Sequence, residues 1–192
     1  MPRSNTRARM VLSAIGLLRE RGVDGVTLDA VIADSGAPRG SIYHHFPGGR
    51  TELVMIAGRA AADFITQLIG EVAATGDPVA ALESFADFWK RSLSASDYRA
   101  GCPIAGLAAN SSAAAADVVG LAAETFASWT RHLTSAFERA GFESGKAASL
   151  ATMTLASIEG AILLCRSSRS TRPIDDVITH LRPLLDVKGN DR

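Results

Sequence analysis

The twenty residues from Thr27 to Phe46, TLDAVIADSGAPRGSIYHHF, constrain the fold more than any other stretch of the chain. Thr27 offers a hydroxyl N-cap to a run with Leu28, Val31 and Ile32 at helical spacing, and Ser35-Gly36 ends that run, Gly36 supplying the backbone freedom of a sharp turn. Pro38, with no N–H to lose, suits the first position of a second helix that runs through Ser41, Ile42 and Tyr43 to Phe46-Pro47. Ala37 and Ile42 are expected to face inward; Arg39, Ser41, Tyr43 and His44 are expected to face out. A short helix whose polar side carries Arg, Ser, Tyr and His rather than Glu and Lys suits phosphate oxygens and base edges in a DNA major groove.

These residues also carry a family likeness. Thr27, Ile32, Ala33, Ser35, Gly36, Gly40, Ser41, Ile42, Tyr43, His45 and Phe46 follow the pattern T-x3-[IV]-A-x2-[SA]-G-x3-G-[ST]-[IL]-Y-x-H-F, which resembles the DNA-binding domain of the TetR family of bacterial transcriptional repressors. The resemblance implies that Thr27, Arg39, Gly40, Ser41, Tyr43, His44 and Arg50 meet DNA, with Thr27 and Arg50 on phosphates and His45 packed against Phe46. Arg50 stands where the family usually has Lys, and the Gly48-Gly49 pair before it departs from the pattern and is expected to loosen the start of the next helix.

The net charge of zero argues at first against a nucleic-acid partner, but its distribution does not. Residues 1–50 hold seven arginines against four acidic side chains; the remainder holds thirteen basic against sixteen acidic ones. Positive charge therefore gathers with the helix-turn-helix. Cys102 and Cys165 belong to no CxxC or Cys/His cluster, so buried, reduced thiols are expected rather than a metal site. No uninterrupted apolar run approaches the ~18–20 residues that span a bilayer, and MPRSNTRARM lacks the apolar segment of a secretory signal, so a cytoplasmic protein is expected.

Taken in order, the chain reads as all-α with about nine helices; no segment alternates with period two for long enough to be a strand. A first helix over 5–21 carries Ala8, Val11, Leu12, Ile15 and Leu18 at helical spacing. Arg3, Arg7 and Arg9 stand at its start, where either DNA phosphates or solvent would relieve their conflict with the helix dipole. Long helices follow over about 50–74, 78–93, 117–140, 144–165 and 174–187, with a short small-residue helix in Gly101–Asn110 and a soft connection over 111–116. Pro183 is expected to kink the last helix or end it early. The functional boundary is placed at residue 48: 1–48 for DNA, 49–192 for effector binding and dimerisation.

Gly101–Asn110 looks like a stretch found in repressors of the lincomycin-resistance and multidrug-efflux type, and its small residues serve either tight packing or the wall of a pocket. Phe85, Phe88, Trp89, Phe126 and Trp129 fall in helices that line the effector cavity in this family. With Cys102, Leu107, Asn110 and Glu159 they form the expected ligand-binding set, a mostly apolar pocket with one or two polar anchors. Leu150, Leu155, Ile158 and Ile162 with Ile174, Ile178, Leu181 and Leu185 are expected to pair with their symmetry mates as a four-helix bundle.

Other chemistries fare badly. Gly141–Ala147 has one residue too few between its glycines for a phosphate-binding loop, and Ala where a metal-binding hydroxyl belongs. His44 and His45, adjacent on a helix, diverge by about 100° and cannot share a metal as i, i+4 pairs do. No nucleophile-and-base order is present and no cofactor is implied. The reading is a homodimeric repressor of a palindromic operator, released by a small hydrophobic effector. Its alternatives are a small-molecule carrier or enzyme with a vestigial helix-turn-helix, and a DNA-binding protein without an effector.

Overall fold

A computed structural model describes residues 3–109 and 116–186. Nine α-helices account for most of them: α1 Arg3–Arg21, α2 Leu28–Ser35, α3 Ile42–His45, α4 Gly49–Ala73, α5 Pro78–Ala95, α6 Pro103–Ala108, α7 Ala116–Arg139, α8 Ser144–Ser168 and α9 Arg172–Leu185. Two 3-10 turns, Val23–Gly25 and Arg39–Ser41, precede α2 and α3, and no strand occurs among the described residues. The helices form two compact units, Met1–Asp63 with Cys102–Thr125 and Phe64–Gly101 with Phe126–Arg192, so α4 and α7 each begin in the first and end in the second. This partition differs from a functional boundary at residue 48, because the first unit also takes up the beginning of α4 and all of α6.

In the first unit the α1 stripe is rotated from the expected one. Met10, Ala14, Leu17 and Leu18 are buried with Ser13, whereas Leu12 is 68% exposed. An i, i+4, i+7, i+8 stripe accounts for the buried set; Leu12 and Ile15 lie beside it, and apolarity alone did not say which side faced in. Val31, Ala37, Ile42, Phe46, Leu53, Val54, Ile104 and Leu107 complete this core. The backbone of α6 comes close to α1: a Cβ at Gly106 would stand 3.1 Å from the Leu18 carbonyl oxygen, and one at Gly58 would meet Leu107 Cδ1 at 2.9 Å. The small residues of this stretch thus serve close packing.

In the second unit Trp89, Trp129, Leu93, Ile158, Ile174 and Leu185 are almost wholly buried. Asp77 caps α5, accepting from the Val79 and Ala80 N–H groups, and Glu143 caps α8 from Gly145 and Lys146. Lys90 spans Asp87 and Asp175, and Arg182 pairs with Glu83, tying α5 to α9. Pro183 lies inside α9, which continues two residues beyond it and ends at Leu185. Helices expected over 144–165 and 174–187 leave residues 166–173 between them; α8 extends to Ser168 and only Arg169–Thr171 separate it from α9. By length and composition α4 and α8 could cross a bilayer, although neither holds an uninterrupted apolar run; 44% and 39% of their apolar windows are buried within the chain.

Candidate nucleic-acid interface and effector cavity

The helix-turn-helix is built as its local chemistry dictates, with two corrections. Thr27 caps α2, its Oγ1 accepting from the Ala30 N–H at 3.1 Å, and its own O–H is left free to donate outward. Gly36 ends α2 in the left-handed region, at φ 61°. The first correction concerns Pro38, which takes the extended cap position (φ −62°, ψ 133°) ahead of a 3-10 turn rather than the first position of a continuous helix. The Ser41 N–H and hydroxyl both donate to the Pro38 carbonyl, at 2.9 and 2.6 Å, so this hydroxyl closes the turn before it can serve DNA.

Arg50, expected on a phosphate, makes contacts within the fold. Its Nε donates to the Val26 carbonyl at 2.7 Å and its Nη2 to the Val23 carbonyl at 2.6 Å, so the guanidinium clamps the 3-10 turn before α2 to the first turn of α4. The second correction is the glycine pair, which orders the start of α4. Gly49 sits at φ 64°, and the Gly48 N–H donates to Glu52 Oε2 at 2.7 Å.

Arg39, Gly40, Tyr43 and His44 remain on the open face, with Tyr43 64% exposed. Nothing lies within 4 Å of a Cβ built on Gly40. Arg39 Nη2 donates to Asp29 Oδ1 at 2.7 Å, and this pairing raises the guanidinium's pKa further above its ordinary value. Behind this face His45 is half-buried, its ring 6.4 Å from that of Phe46, and the Arg7 guanidinium carbon lies 5.2 Å from the Phe46 ring centroid. No cluster of metal-ligating side chains occurs among the described residues.

The second unit contains an apolar cavity with ≈ 40 Å³ of free space. Its wall comes from the end of α4 (Ile69, Val72), the start of α5 (Leu82, Phe85), α7 (Leu133, Phe137), α8 (Thr154, Leu155, Ile158) and Leu185. Of the expected ligand contacts only Phe85 lines it. Phe88 and Trp89 pack on one another at 5.3 Å, and Trp129 Nε1 donates to Thr66 Oγ1 at 2.8 Å with Phe126 edge-on at 5.4 Å. Cys102 and Leu107 are buried in the other unit, Glu159 is half-buried on α8 away from the cavity wall, and Asn110 lies outside the described residues.

The residues expected at a dimer contact lie mostly in the interior of the second unit. Leu150, Ile158, Ile162, Ile174, Ile178, Leu181 and Leu185 are buried inside their own unit, and Leu155 is half-buried. The outward apolar residues of α8 and α9 are instead Met153, Leu163, Leu164 and Leu184, with Leu163 65% and Leu164 58% exposed.

Comparison with known proteins agrees with both parts. Residues 12–54 match the family described as bacterial regulatory proteins, tetR family, and residues 78–180 match the transcriptional regulator LmrA/YxaF-like C-terminal domain. An HTH-type transcriptional regulator of Mycobacterium tuberculosis is 39% identical over 184 residues, covering 93% of each chain. The HTH-type transcriptional regulator LmrA of Bacillus subtilis is 27% identical over 186 residues, 96% of this chain and 99% of that one. Crystal structures of TetR regulators from Rhodobacter sphaeroides and Legionella pneumophila share the fold, each with a TM-score of 0.83 at 19% identity, and cover 92% and 97% of this chain, with 97% and 100% of their own lengths matched. The helix-turn-helix and the second helical unit thus belong to one regulator rather than an enzyme, and the chain belongs to the TetR family of bacterial transcriptional regulators, in its LmrA/YxaF-like branch.

Proposed function

We propose that the protein is a homodimeric repressor of a palindromic operator, acting in the cytoplasm and released from DNA when a small hydrophobic effector enters the second unit. The observation that carries this reading is the face formed by Arg39, Gly40, Tyr43 and His44. It is exposed while the helices beneath it spend their apolar residues, Val31, Ile42 and Phe46, on the core. Arg39 reads a base edge, Tyr43 and His44 contact the backbone or an adjacent base, and the free hydroxyl hydrogen of Thr27 reaches a phosphate. Two such faces must meet half-sites about 34–36 Å apart, one turn of DNA, which requires a dimer. Leu163, Leu164, Met153 and Leu184 supply an apolar surface for it on α8 and α9. The effector reading is favoured by α4, whose first turn is clamped to the helix-turn-helix unit by Arg50 and whose last turns line the apolar cavity.

The test is selection of bound fragments from a genomic library, followed by gel-shift titration over a range of salt. A palindromic site bound with a steep salt dependence is expected. Equal retention of all fragments, or none, would sink the repressor reading.

A further inference from the structure

The cavity of the second unit holds one polar group that the fold does not use. Threonines in these helices commonly return their hydroxyl to the carbonyl four residues earlier: Thr125 to Leu121, Thr130 to Phe126, Thr134 to Thr130, Thr152 to Ala148 and Thr179 to Asp175, all at 2.7–3.1 Å. Thr154 does not. Its side chain is buried at 7% exposure, it lines the cavity, and its Oγ1 has no hydrogen-bond partner. A buried hydroxyl without a partner costs free energy, and the usual remedy, the carbonyl one turn back, is not taken.

The rest of the wall narrows what could answer it. Ile69, Val72, Leu82, Phe85, Phe137 and Ile158 offer apolar surface only. The one ionisable group on the wall, Asp77, has its carboxylate engaged by the Val79 and Ala80 N–H groups. An anionic ligand would have no counter-charge in such a cavity, and a cationic one would meet only Asp77, whose Oδ1 already accepts from two backbone N–H groups. A second, more polar hollow of ≈ 460 Å³ shares Gly76, Asp77, Pro78 and Leu185 with the first and is also lined by Arg182 and Asp186. The free space of ≈ 40 Å³ holds only about three water-sized centres, so an effector must spread the walls formed by α4, α5, α7 and α8.

We propose that the effector is an uncharged, mostly apolar compound bearing one hydrogen-bond acceptor, seated in this cavity with that acceptor accepting a hydrogen bond from the Thr154 hydroxyl. The assignment rests on the effector-responsive reading above and adds to it the ligand's charge, its single polar point and the residue that recognises it.

The experiment compares acetophenone with α-methylstyrene, which has nearly the same shape but CH2 in place of the carbonyl oxygen, by calorimetry and thermal shift on the full chain. In the unaltered protein acetophenone is expected to bind about tenfold more tightly than α-methylstyrene, the worth of one neutral hydrogen bond in a dry site. Thr154→Val should abolish that preference and Thr154→Ser should keep it. Thr154→Val should also melt no lower than the unaltered protein without ligand, because it removes an unpartnered buried hydroxyl, so a folding defect cannot explain the result. Absence of a shift by either probe, equal binding of both, or an undiminished preference in Thr154→Val overturns the assignment. Gel shifts on a selected DNA site separate the two readings: acetophenone binding at Thr154 with no effect on DNA affinity upholds this site and removes the effector-responsive reading instead.

Discussion

On the proposed reading, single side chains divide into those that serve DNA and those that serve the fold, and Arg39 and Arg50 fall on opposite sides. Arg39 is held only by Asp29 on an open surface, so Arg39→Ala is expected to leave the melting temperature unchanged while lowering affinity for the selected operator about tenfold to a hundredfold, as loss of a base-edge contact would. Equal loss on unrelated DNA of the same length would assign Arg39 to phosphate. Arg50 donates to two carbonyls 24 and 27 residues earlier, so Arg50→Ala is expected to cost about 1–3 kcal/mol in urea denaturation. Arg50→Lys keeps the charge but loses the planar fork and should recover little of that stability. Full recovery by lysine would return Arg50 to a phosphate role. The contrast explains what could be read in the sequence. Thr27, Gly36 and the Phe46 end of the motif form contacts a few residues apart and were legible; the acceptors of Arg50 are backbone atoms brought near only by folding, and no side-chain pattern announces them. Thr154 was illegible for the same reason, since a threonine facing a cavity and one facing its own helix are spelled alike.

Elements were legible to within a few residues wherever a cap or breaker marked their ends, as at Asp77-Pro78 and Gly141. They were less so at the end of α8, where Arg166 to Ser168 looked like loop but continue a helix that closes with Arg169 at φ 52°. The start of α8 carries a pH prediction. The Gly145 and Lys146 N–H groups hold the Glu143 carboxyl below the ordinary carboxylate range. A depressed folded value means that the cap's contribution is present above the carboxylate range of the unfolded chain and is lost as pH falls through the depressed value. Glu143→Gln keeps an acceptor but cannot titrate, so its urea midpoint should fall less steeply between neutral and acid pH than that of the unaltered protein. Parallel profiles would show that the charge on Glu143 contributes nothing. The cap is invisible to a search for Ser, Thr, Asp or Asn, which prefer this position, and glutamate reaches it here by accepting through both oxygens.

At the scale of the whole molecule, α8 and α9 carry apolar residues on more than one side, and sequence alone could not tell which side is spent inside. The chain's own core takes Ile158, Ile162, Ile174 and Leu181, and leaves Leu163 and Leu164 to solvent. This sorts two sets of mutations by an observable that neither shares with the other. Ile158→Ala or Ile162→Ala empties space within one chain, and each should cost about 2–4 kcal/mol of unfolding free energy by cavity formation. Leu163→Glu with Leu164→Glu removes no buried contact within the chain, so the unit should keep its helical circular dichroism. Placed in an apolar interface between two chains, however, the paired carboxylates would be stripped of water without a partner. The double variant is therefore expected to sediment as a monomer at concentrations where the unaltered protein is expected to sediment as a dimer, and to bind a single half-site far more weakly than a dimer would bind the full operator, since two tethered heads gain from their mutual effective concentration. A double variant that still sediments as a dimer would move the interface away from this face of α8, and with it the lever by which a ligand among α4, α5, α7 and α8 could alter the spacing of the two DNA-reading heads.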